Sequence, residues 1–118
     1  MRITKYAAID IGSNALRLLI SNVIEHKKET ITLKNSLVRV PIRLGQDAFT
    51  TGIISRNNIK QICRSMKSFK NLMKVHDVKN YLAFATAALR EAKNGKYVID
   101  RVKKKSGINI QIIDGKKE

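Results

Sequence analysis

Aromatic side chains are scarce in this sequence: three tyrosines, three phenylalanines and no tryptophan make up 5% of 118 residues. Surfaces that read single-stranded nucleic acid stack bases on exposed rings, and neither such a platform nor a recognition-helix signature appears here. The lone Cys63 excludes an internal disulfide. Its place in a helical apolar pattern makes it a buried thiol of a cytoplasmic protein. No apolar run approaches the roughly 20 residues that a bilayer-crossing helix needs. Met1 to Lys5 lead into a strand with no small-residue cleavage site, so neither an anchor nor a secretion signal is expected. Internal repeats and low-complexity tracts are also missing. Acids are few, 9 against 24 Lys and Arg, which leaves a formal net charge of +15.

That charge concentrates polyanions at the surface in a salt-dependent way. Nucleic acid, anionic lipid and polyphosphate all qualify, and charge alone does not choose among them. The length fits one domain, and 43% apolar content supplies a core for it.

The stretch from Ala7 to Ile20 organises the rest. An apolar run ends in Asp10, Gly12, Ser13 and Asn14, and a second run begins almost at once: strand, tight turn, strand. Gly12 permits a positive φ and close approach of a ligand to the backbone. Ser13 and Asn14 add hydroxyl, amide and main-chain N–H donors, the parts of a phosphate-cradling nest. Asp10, at the end of a buried strand, calls for a metal, a water or a donor network. A plain hairpin in which Asp10 and Asn14 satisfy the turn is the competing reading.

Strands are expected over Lys5 to Ile11, Leu16 to Ile24 and, by period-two alternation, Thr30 to Lys34. Glu25 to Glu29 form the turn between the last two, with His26 solvated at its tip. Asn35 to Gly52 is irregular, punctuated by Pro41, Gly45 and Gly52. Within it, Arg43 to Asp47 could set a cation beside the first turn, although an ordinary surface loop is the simpler reading. Ser55 reads as an N-cap. Ile59, Ile62, Cys63, Met66, Phe69, Leu72 and Met73 follow at helical spacing, giving about five turns that end at His76. Lys60, Arg64, Lys67, Lys70 and Lys74 fall on the other faces.

Tyr81 to Thr86 suits a central strand. Ala87 to Ala92 follow as a turn or short helix past its carboxyl end, where open α/β sheets bind ligands. Arg90 there could fork two phosphate oxygens or simply pair with Glu91 or Asp47. Asn94 and Gly95 open a second helix, with Tyr97, Val98, Ile99 and Val102 inward and Gly107 as C-cap. Ile108 to Ile113 make the fifth strand, and Asp114 to Glu118 look like the entry to a helix. The fold class is α/β: a mixed five-stranded sheet, with an antiparallel meander of three strands followed by helix, strand, helix and strand in right-handed crossovers.

Three separated motifs resemble the amino-terminal domain of the Ppx/GppA family, the exopolyphosphatases and guanosine pentaphosphate phosphohydrolases. They are Ala8 to Asn14 with Arg17, Thr86 to Gly95, and Ile112 to Glu118, in which Lys117 stands where the family usually has an acid. The resemblance implies a ribonuclease H-like or actin-like ATPase half-domain. By position, Glu118 matches the general base that draws a proton from the attacking water. Arg90 matches the phosphate-binding arginine, and Gly12, Ser13 and Asn14 match the loop whose amides hold phosphoryl oxygens. Asp10 matches the acid near a Mg²⁺ ion. The family's second phosphate loop and closing domain lie outside residues 1–118. The chain therefore reads as one half-domain, an amino-terminal fragment expected to be inactive by itself, because half a clamp positions its substrate poorly.

The resemblance implies inorganic polyphosphate or a guanosine polyphosphate as partner and a homodimer for the complete protein, with no membrane and no specific nucleic acid. Two rival readings stand against an exopolyphosphatase: a non-catalytic basic module for polyanions or nucleic acid, and a nucleotide-dependent kinase or ATPase half of the same superfamily.

Overall fold

The computed structural model describes residues 1–114. Three long strands, β1 (Arg2–Ile11), β2 (Leu16–His26) and β3 (Glu29–Val40), form the meander. Two short helices and two longer ones follow around two more strands: α1 (Leu44–Thr50), α2 (Arg56–Val75), β4 (Asn80–Ala85), α3 (Ala87–Glu91), α4 (Gly95–Ser106) and β5 (Ile110–Ile112). The strand order is β3-β2-β1-β4-β5. β1 pairs antiparallel with β2 and parallel with β4, and β4 runs parallel to β5. The five described strands thus have the expected mixed topology.

Alternation along β1 and β2 decides which face is covered. Ala7, Ile9, Ile11, Leu16, Leu18 and Ile20 are buried against the helices. Asp10 and Arg17, opposite one another in the ladder, point to the other face. From α2, Ile62, Met66 and Phe69 meet that core at 1% exposure or less, each contributing about 1.5–3 kcal/mol of apolar burial. The Ser55 side chain caps α2 by accepting a hydrogen bond from the Asn58 amide at 3.1 Å, worth on the order of 1 kcal/mol. Cys63 is buried as expected. Lys70 departs from the solvated basic face: its Nζ donates to the Ser106 carbonyl at 2.9 Å and so caps α4.

Several boundaries differ from the sequence expectation. β3 continues to Val40 because a register shift between Ile20 and Ser21 keeps the pairing going past Lys34. The β2–β3 turn shrinks to Lys27 and Lys28, with Lys27 at φ 56°. The surface loop expected around Arg43 to Asp47 is instead the start of α1, which buries Leu44, Gly45 and Ala48. Tyr97 is 58% exposed rather than inward. The buried stripe of α4 is Gly95, Val98, Val102 and Ser106, and Tyr97 lies about 100° around the helix from Val98 and farther from the other three. β5 is shorter than expected, pairing with β4 only from Ile110 to Ile112.

Candidate functional site

The parallel pairing of β4 with β1 brings the carboxyl ends of both strands to one edge. The turn 12–15 and the start of α3 stand there side by side. A cleft of about 600 Å³ opens between them, lined by Asp10, Ser13, Asn14, Arg17, Thr86 and Gln111 among others. The Gly12 amide donates to the Ala15 carbonyl at 3.0 Å and closes the turn. Gly12 does not take the positive φ that the sequence allowed. Its small size matters for spacing instead, since a Cβ there would stand 3.3 Å from the Ala15 carbonyl oxygen.

Gly12 therefore spends its amide on the turn. The amides of Ser13 and Asn14 make no hydrogen bond within the described residues, which leaves two main-chain donors at the cleft. The Ser13 carbonyl is tied down from behind by the Gly45 amide at 2.8 Å. A Cβ on Gly45 would sit 3.0 Å from Ser13 Cβ, so a glycine is what lets α1 dock on the turn. The segment read as an ordinary surface loop is thus the support of the turn.

Arg90 does not line the cleft. Its Nε pairs with Glu91 Oε1 at 3.3 Å and its Nη1 donates to the Ile113 carbonyl at 2.8 Å. Ile113 is itself a lining residue, so Arg90 meets the cleft through the backbone at the end of β5. The Arg90–Glu91 pair, one of the two surface pairs considered, is present. Asp47 takes other partners: its Oδ2 accepts from the Ser55 amide at 2.9 Å and from Asn58 Nδ2 at 2.8 Å. The Ser55 amide first, and then Asn58, hold its carboxyl below the usual value of 3.8.

Of the expected site residues, Asp10, Gly12, Ser13 and Asn14 come together and Arg90 stands just behind them. Glu118 lies outside the described residues. No group of three His, Cys, Asp or Glu side chains is placed to hold a metal among the described residues. Magnesium sites use one or two carboxylates together with substrate phosphates and waters. A half-buried Asp10 beside two open amides fits that pattern. The lining role of Gln111 escaped the sequence reading, although its alternation with Ile110 and Ile112 was visible.

A mixed sheet with a tight glycine-containing turn between its first two strands, helices packed on one face and a cleft at the carboxyl edge defines an actin-like, ribonuclease H-like half-domain. The chain belongs to the Ppx/GppA phosphatase family, whose sequence profile matches residues 11–118. It is similar to the bifunctional 3-dehydroquinate synthase/phosphatase of Fusobacterium nucleatum, 33% identical over 95% of this chain and 17% of that protein. It is also similar to exopolyphosphatase 1 of Mycobacterium tuberculosis, 27% identical over 97% of this chain and 32% of that one. Among solved structures, the Aquifex aeolicus Ppx/GppA family member superposes with a TM-score of 0.90 at 28% identity, covering 98% of this chain and 37% of its own. The chain therefore spans a third or less of the length of these curated relatives.

Proposed function

We propose that the cleft binds the terminal phosphate of inorganic polyphosphate and that the chain is the amino-terminal half-domain of an exopolyphosphatase-like phosphohydrolase. The observation that carries this reading is the pair of unbonded amides at Ser13 and Asn14 beside Asp10. They are donors held in place before any ligand arrives, which is what phosphoryl transfer needs most.

In this reading the two amides orient the phosphoryl oxygens, and Arg90 turns its guanidinium from the Ile113 carbonyl toward phosphate. Asp10 would hold Mg²⁺, which supplies positive charge against the phosphoryl oxygens. Glu118 takes a proton from the attacking water. The chain supplies one wall of a clamp and acts in the cytoplasm, and the complete protein is a homodimer. Guanosine pentaphosphate is the second substrate to consider. Relatives named guanosine-5'-triphosphate,3'-diphosphate pyrophosphatase in Aliivibrio fischeri are 26% identical over 96% of this chain.

The test is orthophosphate release from long-chain polyphosphate with Mg²⁺, measured on this chain and on the chain extended through its downstream coding sequence, with Glu118→Gln in each. Release by the extended form alone, lost in the substituted one, supports the reading. No release from either form sinks it, and release only from guanosine pentaphosphate replaces the substrate.

A further inference from the structure

We propose that Arg39 and Arg43, with Arg17 as the link, form a second anion subsite that holds internal units of a linear polyphosphate, so that the substrate runs from the turn across β2 and β3 toward α1. The proposal rests on the phosphate reading of the turn.

A second cleft, of about 710 Å³, is lined by Asn14, Arg39, Pro41, Arg43 and Gln46. Asn14 also lines the first cleft, as does Arg17. The two spaces therefore share a wall. Arg17 and Arg39 face one another directly in the β2–β3 ladder, and cross-strand partners stand on one face of a sheet. Like charges placed opposite one another in a ladder destabilise it. Beyond Arg39, exposed Pro41, buried Ile42 and exposed Arg43 alternate, so Arg43 continues the same exposed side.

Arg17 has Asp10 opposite it in the β1–β2 ladder, so the pair of arginines left without a facing acid is Arg39 and Arg43. Arg17, Arg39 and Arg43 make no ion pair or side-chain hydrogen bond among the described residues. Asp47, the acid closest in sequence to Arg43, is engaged by Ser55 and Asn58. Two guanidiniums with no ion pair among the described residues, linked through Arg17 to the turn, match a ligand that carries a negative charge on each successive unit. The walls of the second cleft contain no aromatic ring. A nucleotide base would find no stacking platform there, which favours an unbranched phosphate chain over guanosine pentaphosphate.

The test is equilibrium binding to the chain at fixed ionic strength, with orthophosphate, tripolyphosphate, long-chain polyphosphate and guanosine pentaphosphate as probes. Arg39→Gln/Arg43→Gln is compared with Lys104→Gln/Lys105→Gln, which removes the same charge from the exposed side of α4. The expected result is at least a tenfold loss of affinity for long-chain polyphosphate in the first variant, a change under twofold in the second, and unchanged orthophosphate binding in both. Equal losses in the two variants would mean diffuse electrostatics and would overturn the proposal. So would a loss confined to guanosine pentaphosphate. A Gly12→Val variant separates this inference from its premise. If it binds long-chain polyphosphate as tightly as the parent, the turn is no phosphate site and the functional reading itself fails. If Gly12→Val weakens binding while Arg39→Gln/Arg43→Gln does not, only the second subsite is lost.

Discussion

The amide of Gly45 donates a 2.8 Å hydrogen bond to the carbonyl of Ser13. A helix of seven residues is thereby fixed to the back of the turn. The bond also orients the Ser13–Asn14 peptide, because the carbonyl it holds and the Asn14 amide belong to one planar unit. The Asn14 donor in the cleft is thus aimed from behind, by a residue that does not line the cleft.

Gly45→Val tests that arrangement. The new side chain would press on Ser13 and on Phe49, whose Cε2 stands 3.4 Å from the Cβ position. Overpacking of this kind costs about 1–3 kcal/mol, read as a lower urea midpoint. Polyphosphate affinity should fall as well. A variant with unaltered stability and affinity would show that α1 is not the support of the turn.

Gly95→Ala should be worse. A Cβ there would penetrate the Leu89 carbonyl, and backbone cannot rotate away as a side chain can. The expected outcome is a loss of about 3 kcal/mol or failure to fold. Circular dichroism and urea unfolding against Gly12→Ala, where the Cβ distance to the Ala15 oxygen is 3.3 Å, would show the contrast.

Asp47 makes stability depend on acid. Its folded value lies below its usual value of 3.8, chiefly because the Ser55 amide donates to it. As pH falls through that range, the unfolded chain takes up the proton first, so its contribution is present above the usual value and lost as pH drops through the folded one. Asp47→Asn should flatten this part of the stability profile and lower stability at neutral pH by on the order of 1 kcal/mol. An unchanged acid limb in urea titrations between neutral pH and pH 3 would rule it out.

Cys63 should behave as a silent thiol. Burial pushes its value up from 9.0, against the weaker pull of Arg101, Lys105 and Lys67. The thiolate is the reactive form. Alkylation by iodoacetamide at pH 8 should be slow in the folded chain and fast in urea. At alkaline pH the unfolded state loses this proton first, so Cys63 lowers stability as pH rises past its ordinary value. Rapid labelling of the native chain would contradict the burial.

The elements with strong periodicity were legible from residues alone. Ile62, Met66, Phe69 and Met73 marked α2, and the apolar-to-polar switch at Asp10 marked the edge of the cleft. What was missed had no local signature. α1 buries only Leu44, Gly45 and Ala48, too few positions to reveal a period, and its purpose is a contact with Ser13 far back in the chain. The partner of Arg90 that the sequence did not show, the Ile113 carbonyl, is main chain, which every residue carries. Tyr97 misled because adjacent apolar residues on a short helix do not say which of them faces in.

The central position of β1 also sets the timing of assembly. Ile11 pairs with Leu16 across the turn and with Ala85 on the other side. The hairpin can close as soon as it is made, whereas the second pairing must wait for most of the chain and bear the entropy of closing a long loop. Thr86 and Gln111 reach the cleft only after that closure. Until β4 pairs with β1 the turn stands without its cleft, so on the proposed phosphate reading ligand-dependent protection of the Ser13 and Asn14 amides would follow that pairing.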